Sequence, residues 1–209
     1  MKKFLLPVIL IFLLIFFSAG FCASGDWRPI EKSYGNKTSG ALRVLVAYAS
    51  RAGSTAEVAD AVGKKLADGG TMVDVKPVEK VQSLDGYSAV VLGSAVRRGE
   101  PLSEMTGFIR KHKDELKKIP VAYFIVCLMV KENTPENQAI ANSYLDGLRR
   151  EVSPVDTAVF AGKMDYSRIN FIEKLVIKYI KSMPECDVRD WPKINEWAAG
   201  LLPKLTNTK

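Results

Sequence analysis

The sequence predicts an α/β protein built on a doubly wound sheet of five parallel strands. Two observations predict it. From Leu42 onward, short β-rich runs alternate with stretches of helical periodicity. Two of the runs, Tyr87 to Gly93 and Val121 to Met129, are continuously apolar, as strands covered on both faces should be. Strand–helix alternation of this kind winds a parallel sheet through right-handed crossovers.

Taken in order, Leu42 to Tyr48 is a mostly apolar first strand. Ser54-Thr55-Ala56-Glu57 reads as a capping box opening a helix, with Val58, Val62 and Leu66 repeating at i+4 and Gly69-Gly70 as the stop. Thr71 to Val78 alternates as a second strand. Tyr87 to Gly93 is the third, and only a short connection separates it from the second. A second helix places Leu102, Met105, Ile109, His112 and Leu116 on one face, so His112, the only histidine, is expected in packing and not in catalysis. Val121 to Met129 is the fourth strand. Thr134-Pro135 caps and opens a third helix through Ile140, Tyr144 and Leu148. Thr157 to Ala161 is the fifth strand. The last helix carries Ile194, Trp197, Ala198 and Leu201 and is expected to end before Pro203.

The residues before this domain have a different character. Met1-Lys2-Lys3 precedes an uncharged apolar run from Phe4 to Phe17, then Ser18, Ala19 and Gly20. That is the pattern of a secretory signal; extended to Phe21, it also reaches the roughly 17–18 residues with which a helix can span a bilayer. Residues 1–23 are therefore read as a signal peptide or membrane anchor, and the protein as membrane-associated through them. Cys22 adds lipidation as a further option, against which stands the bulky Phe21 before it. Residues 24–41, rich in Gly, Ser and Asn, read as a flexible tether, and 42–206 as one domain.

Composition narrows the function. The chain of 209 residues is 47% hydrophobic and 25% charged, which excludes disordered and fibrous classes. Its formal net charge of +7 falls to +5 without Lys2 and Lys3, too mild for a dedicated nucleic-acid binder. Three cysteines, none at metal-ligand spacing, make neither a zinc site nor a disulfide framework.

Ligands of doubly wound sheets bind beyond the carboxyl ends of the strands. The loop after the first strand, Ser50-Arg51-Ala52-Gly53-Ser54-Thr55, combines three hydroxyls, a glycine and a helix N-terminus, the donor set a phosphate monoester requires. The same sequence is consistent with nothing more than a well-capped helix. No G-x(4)-G-K-[ST] and no G-x-G-x-x-G follows the first strand, which sets aside P-loop nucleotidases and dinucleotide sites. No aspartate ends the third strand, and no arginine loop follows Cys127, so a phosphoacceptor domain and a cysteine phosphatase are unsupported.

The loop resembles the T/S-x-T-G-x-T phosphate loop of flavodoxin-like proteins, with Ala52 in place of the second hydroxyl residue. Further segments resemble the bacterial menaquinone-dependent protoporphyrinogen oxidase family: Gly93 to Gly99, Phe108 to His112, Ile119 to Phe124, Asn142 to Tyr144, and Ala161 to Tyr166. The resemblance spans roughly Leu42 to Leu205. It implies strand order 2-1-3-4-5 with a helical insertion after strand five, and FMN as cofactor. By position, Ser50, Arg51, Ala52, Gly53, Ser54 and Thr55 would hold its phosphate. Ser94, Ala95, Val96 and Arg97 would face one side of the ring, and Cys127, Leu128 and Met129 the other. Cys127 stands where related enzymes have an asparagine, and neither ring loop contains a tryptophan or tyrosine. The implied reaction moves electrons from a tetrapyrrole through FMN to a membrane quinone. The alternative is a membrane-tethered FMN-binding electron-transfer flavodoxin with no tetrapyrrole substrate. Arg97 and Arg98 are candidates for a porphyrin propionate or for the reduced flavin's charge.

Lys163 to Asp190 is longer than an ordinary connection. Ile169, Ile172, Val176, Tyr179, Ile180 and Met183 make an apolar stripe within it, edged by Lys174, Lys178 and Lys181. This pattern fits three settings: a helix packed on the domain, an interfacial helix at a membrane, or the wall of an apolar pocket.

Overall fold

The computed structural model describes residues 27–35, 42–169, 174–175 and 184–206. The elements in chain order are β1 (Lys32–Tyr34), β2 (Arg43–Ala49), α1 (Ser54–Asp68), β3 (Met72–Pro77), β4 (Ala89–Arg97), β5 (Glu100–Pro101), α2 (Ser103–Lys111) and α3 (Lys113–Leu116). Then come β6 (Val121–Cys127), α4 (Pro135–Ser143), α5 (Asp146–Glu151), β7 (Asp156–Ala161), β8 (Lys163–Met164), β9 (Cys186–Asp187) and α6 (Trp191–Thr206).

The sheet runs β1-β3-β2-β4-β6-β7, with β5 folded back on β4. The five expected strands are β2, β3, β4, β6 and β7, and their pairings are all parallel. Their spatial order is the expected 2-1-3-4-5. Each face carries its own core. On one, Val44, Val46 and Tyr48 of β2 meet Val58 and Val62 of α1 and Ile194 and Leu201 of α6. On the other, Leu45, Leu92 and Ile125 meet Met105 and Ile109 of α2 and Leu148 of α5. The alternation of β2 residues between the two cores is the period of two that any pleated strand imposes.

Four expectations are corrected. Within the predicted tether, Lys32–Tyr34 is a strand, pairing antiparallel with β3 at the sheet edge. Composition concealed it because its hold is polar: Ser33 donates to Asp74 Oδ1 (2.5 Å), and Tyr34 and Lys32 both bond to Asp60. The capping box does not form. Gly53, at φ +83°, precedes α1, the Ser54 hydroxyl is engaged elsewhere, and Glu57 turns away to two arginines. The second helix breaks at His112 (φ −105°) into α2 and α3, while the imidazole is buried as expected, 4.7 Å from the Phe108 ring. Finally, α6 continues through Pro203 to Thr206, because Leu205 in its last turn is buried in the core.

Residues 1–26, which include the predicted signal or anchor and Cys22, lie outside the described residues, as do 36–41 of the tether. So do most positions of the insertion stripe: Ile172, Val176, Tyr179, Ile180 and Met183, with Lys178 and Lys181. Ile169 is buried, whereas Leu175 is 41% exposed. No helix among the described residues is long and apolar enough to cross a membrane.

Candidate functional site

The carboxyl ends of β2, β4, β6 and β7 lie side by side. In the sheet register Ala49 is beside Ser94, Ala95 beside Val126, and Cys127 beside Ala161. Whatever follows these strands therefore converges on one edge.

The loop after β2 is held from within and from outside. The Ser50 hydroxyl accepts from the Gly53 N–H (3.1 Å), which tightens the turn into the left-handed conformation that glycine adopts without strain. Gly53 is buried, and a Cβ there would stand 2.9 Å from Arg168 Nη1 and 3.3 Å from the Trp27 ring. Thr55 is buried in the first turn of α1. The Ser54 hydroxyl accepts from the Lys163 backbone N–H (3.0 Å), so the segment after β7 is fastened to this loop. Gly162 beside it packs closely on β6, where a Cβ would stand 3.1 Å from Val126 Cγ1 and 3.5 Å from Ser54 Oγ.

Two guanidiniums stand next to the helix start. Glu57, in the first turn of α1, accepts from both Arg168 and Arg189. Burial works against its charge, yet Arg189 and Arg168 together hold the carboxyl below its ordinary range. Asp187 also binds Arg189, and Asp165, engaged by Ser167 and Lys163, is pulled down to about 2. The two arginines lie near the two ends of the insertion, whose base is closed by the antiparallel pairs Lys163–Asp187 and Met164–Cys186. Arg51 on the loop pairs with Glu104 of α2. The sequence reading missed Arg168, Arg189 and Trp27 as neighbours of the loop. Only their distance along the chain hid them.

The segment after β4 differs from expectation. β4 continues to Arg97 and returns as β5, through a two-residue turn in which Arg98 (φ +55°) and Gly99 (φ +79°) are both left-handed. Ser94, expected to face a ring, is fully buried. Its hydroxyl donates to the Ala95 carbonyl and accepts from the Leu102 N–H, fixing the hairpin. Ala95 and Val96 are half-buried, and Arg97 and Arg98 are exposed at the tip. At the end of β6, Cys127 is buried, and desolvation pushes its thiol up, so it is a neutral packing group. Leu128 is half-buried and Met129 is 41% exposed, in a single turn of 3-10 helix from Leu128 to Lys131. Of the ring-facing candidates, Ala95, Val96, Arg97, Leu128 and Met129 thus remain accessible at this edge. Ser94 and Cys127 are turned inward by the pleat. No group of three His, Cys, Asp or Glu side chains capable of holding a metal occurs among the described residues.

A family model described as a flavodoxin domain matches residues 45–189. The chain belongs to the flavodoxin-domain family. The match runs from β2 to the far side of the insertion, so every part of the edge described above except the Trp27 segment falls within it. The quinone-type protoporphyrinogen IX dehydrogenase of Escherichia coli K12 is 28% identical over 170 residues, covering 75% of this chain and 93% of the relative. A protein of the same name from Leishmania major is 28% identical over 171 residues, covering 75% of this chain and 73% of the relative. Among solved structures, a flavodoxin from the domain Archaea superposes with a TM-score of 0.50 at 16% identity, covering 79% of this chain and all of the flavodoxin. Oxidised flavodoxin 1 from Bacillus cereus gives 0.50 at 14% identity, over 78% of this chain and 99% of that one. At that identity these structures speak for the fold alone. Membership of the flavodoxin-domain family implies a flavin as cofactor.

Proposed function

We propose that this flavin-dependent oxidoreductase uses FMN to take electrons from a porphyrinogen-type tetrapyrrole and deliver them to a membrane quinone. The observation that carries the reading is the loop Ser50–Thr55. It brings hydroxyls, a left-handed buried glycine and the N-terminus of α1 to the edge where the resemblance puts a flavin phosphate. The names of the curated relatives, one of them matched over 93% of its length, support the donor and acceptor classes.

The residues present fit FMN. The loop itself supplies hydroxyl and backbone donors, and beside Gly53 lies the guanidinium of Arg168, paired with Glu57 and Asp165, which adds positive charge suited to a dianionic phosphate ester. Ser50, Arg51, Ala52, Gly53, Ser54 and Thr55 would hold that phosphate, and Ala95, Val96, Leu128 and Met129 would border the ring through backbone and aliphatic contacts. When bound, the cofactor supplies two-electron redox chemistry, while the chain contributes orientation and electrostatics. Arg97 and Arg98, exposed on the hairpin tip, supply positive charge where an anionic propionate or a reduced ring would approach. The thiol of Cys127 takes no part in this scheme. The leader at residues 1–23 would keep the domain at a membrane, where a quinone is reached.

The test begins with the purified full chain. It should be yellow or become so with added FMN, and Ser54→Glu with Thr55→Glu should abolish retention. Anaerobic oxidation of protoporphyrinogen with a menaquinone analogue should then exceed a flavin-free control. A yellow protein with no turnover would leave a membrane-tethered electron-transfer flavodoxin as the function. A protein that takes up no flavin overturns both.

A further inference from the structure

The segment just ahead of the flavodoxin domain does not hang free. Ile30 is gripped at both backbone groups by the Tyr48 hydroxyl, which accepts from its N–H (2.7 Å) and donates to its carbonyl (2.9 Å). Burial pushes the Tyr48 phenol up to about 12, so it stays a donor at any physiological pH. The next residues form β1, fastened to β3 and to Asp60 and Asp74. These anchors deliver Trp27 onto the loop after β2. There its indole N–H donates to the Arg51 carbonyl (2.5 Å), and its ring carbon lies 3.3 Å from where a Gly53 side chain would begin. Arg168 closes on Gly53 as well, 2.9 Å from the same point.

We infer that Trp27 is a latch on the phosphate loop: the 27–34 arm crosses the cofactor's entrance, and the flavin enters and leaves only when the indole lifts. This inference rests on FMN being held by Ser50–Thr55. Trp27 lies outside the 45–189 match. Two physical features suit it to gating. A large aromatic ring blocks access at little conformational cost, having only two side-chain torsions to fix. Its one hydrogen bond goes to a backbone carbonyl, so no loop hydroxyl is consumed in closing it. A single neutral hydrogen bond and a partly buried ring are strong enough to slow exchange and weak enough to open.

The test measures FMN exchange in the full chain. Release is followed by the recovery of free-flavin fluorescence on dilution, and entry by its quenching on mixing. Trp27→Ala should speed both release and entry by about tenfold, the change expected for losing roughly 1–2 kcal/mol of closing contacts. The dissociation constant should move less than either rate. Trp27→Phe, which keeps a ring but loses the N–H, should fall between. A merely structural role would lower the melting temperature without raising the entry rate. Release and entry in both variants within twofold of the parent would overturn the latch while leaving the FMN reading intact. A parent chain that binds no FMN would overturn both.

Discussion

Glu57 and Arg189, 132 positions apart, form an ion pair whose arginine side chain is 5% exposed. Arg168 binds the same carboxylate from the other end of the insertion, so one glutamate beside the loop after β2 anchors both ends of the inserted segment. Replacing Glu57 with Gln removes the charge and leaves Arg189 to Asp187 alone. The expected loss is about 2 kcal/mol, read as a lower urea midpoint at pH 7. The folded carboxyl lies below its unfolded value, so its contribution is fully present above about pH 4.3 and is lost as pH falls through the folded value. The difference between parent and variant should therefore shrink between pH 5 and the acid limit, and a gap constant down to pH 2 would contradict it.

Gly53→Ala tests the loop itself. A side chain is disfavoured at φ +83°, and it would meet Arg168 and Trp27. The expected destabilisation is about 1–2 kcal/mol, with weaker FMN binding in a fluorescence titration. A variant with unchanged melting temperature and affinity would mean the loop tolerates a different turn.

Asp74 holds the arm-bearing edge of the sheet. It accepts from Ser33, Arg43 and Tyr87 and is largely buried. Although burial opposes its charge, these three partners keep its carboxyl below the ordinary range. Asp74→Ala should cost about 2–3 kcal/mol, since it strands its donors. Amide exchange at Tyr34 should accelerate more than at Val46 in the central strand. Equal acceleration at both would show that β1 is not separately held.

The thiols provide a fourth check. Cys127 is buried with a raised pKa, whereas Cys186 is partly exposed. Alkylation by iodoacetamide at pH 8, followed by peptide mass spectrometry, should label Cys186 at least tenfold faster. Cys127→Ser should keep its flavin if the thiol only packs. Faster labelling at Cys127 would place it at the accessible edge instead.

Much of this was legible in the residues. Continuous apolar runs gave the central strands, because β4 and β6 are buried on both faces. Thr134 does cap α4, its hydroxyl accepting from the Asn137 N–H, because that cap is a local event. What escaped was tertiary. Ser54 has the composition of a capping residue, but a backbone N–H 109 positions away claims its hydroxyl. Ser94 is held inward by its two hydrogen bonds in the hairpin while Ala95 and Val96 stay half-buried, and composition carries no signal of where β4 ends. β1 looked like a tether because three polar residues, not an apolar stripe, hold it to its neighbours.

The bond from Lys163 to Ser54 has a consequence for when the protein becomes competent. The loop is specified early in the chain, yet one of its hydroxyls is not set until a residue more than a hundred positions later has reached it, and Glu57 waits longer still for Arg189. Half-made chains emerging from the ribosome carry the loop's letters without its final shape. On the proposed placement of the flavin, loading waits for the whole domain, and a truncation that spares α1 but stops before β7 should retain no flavin.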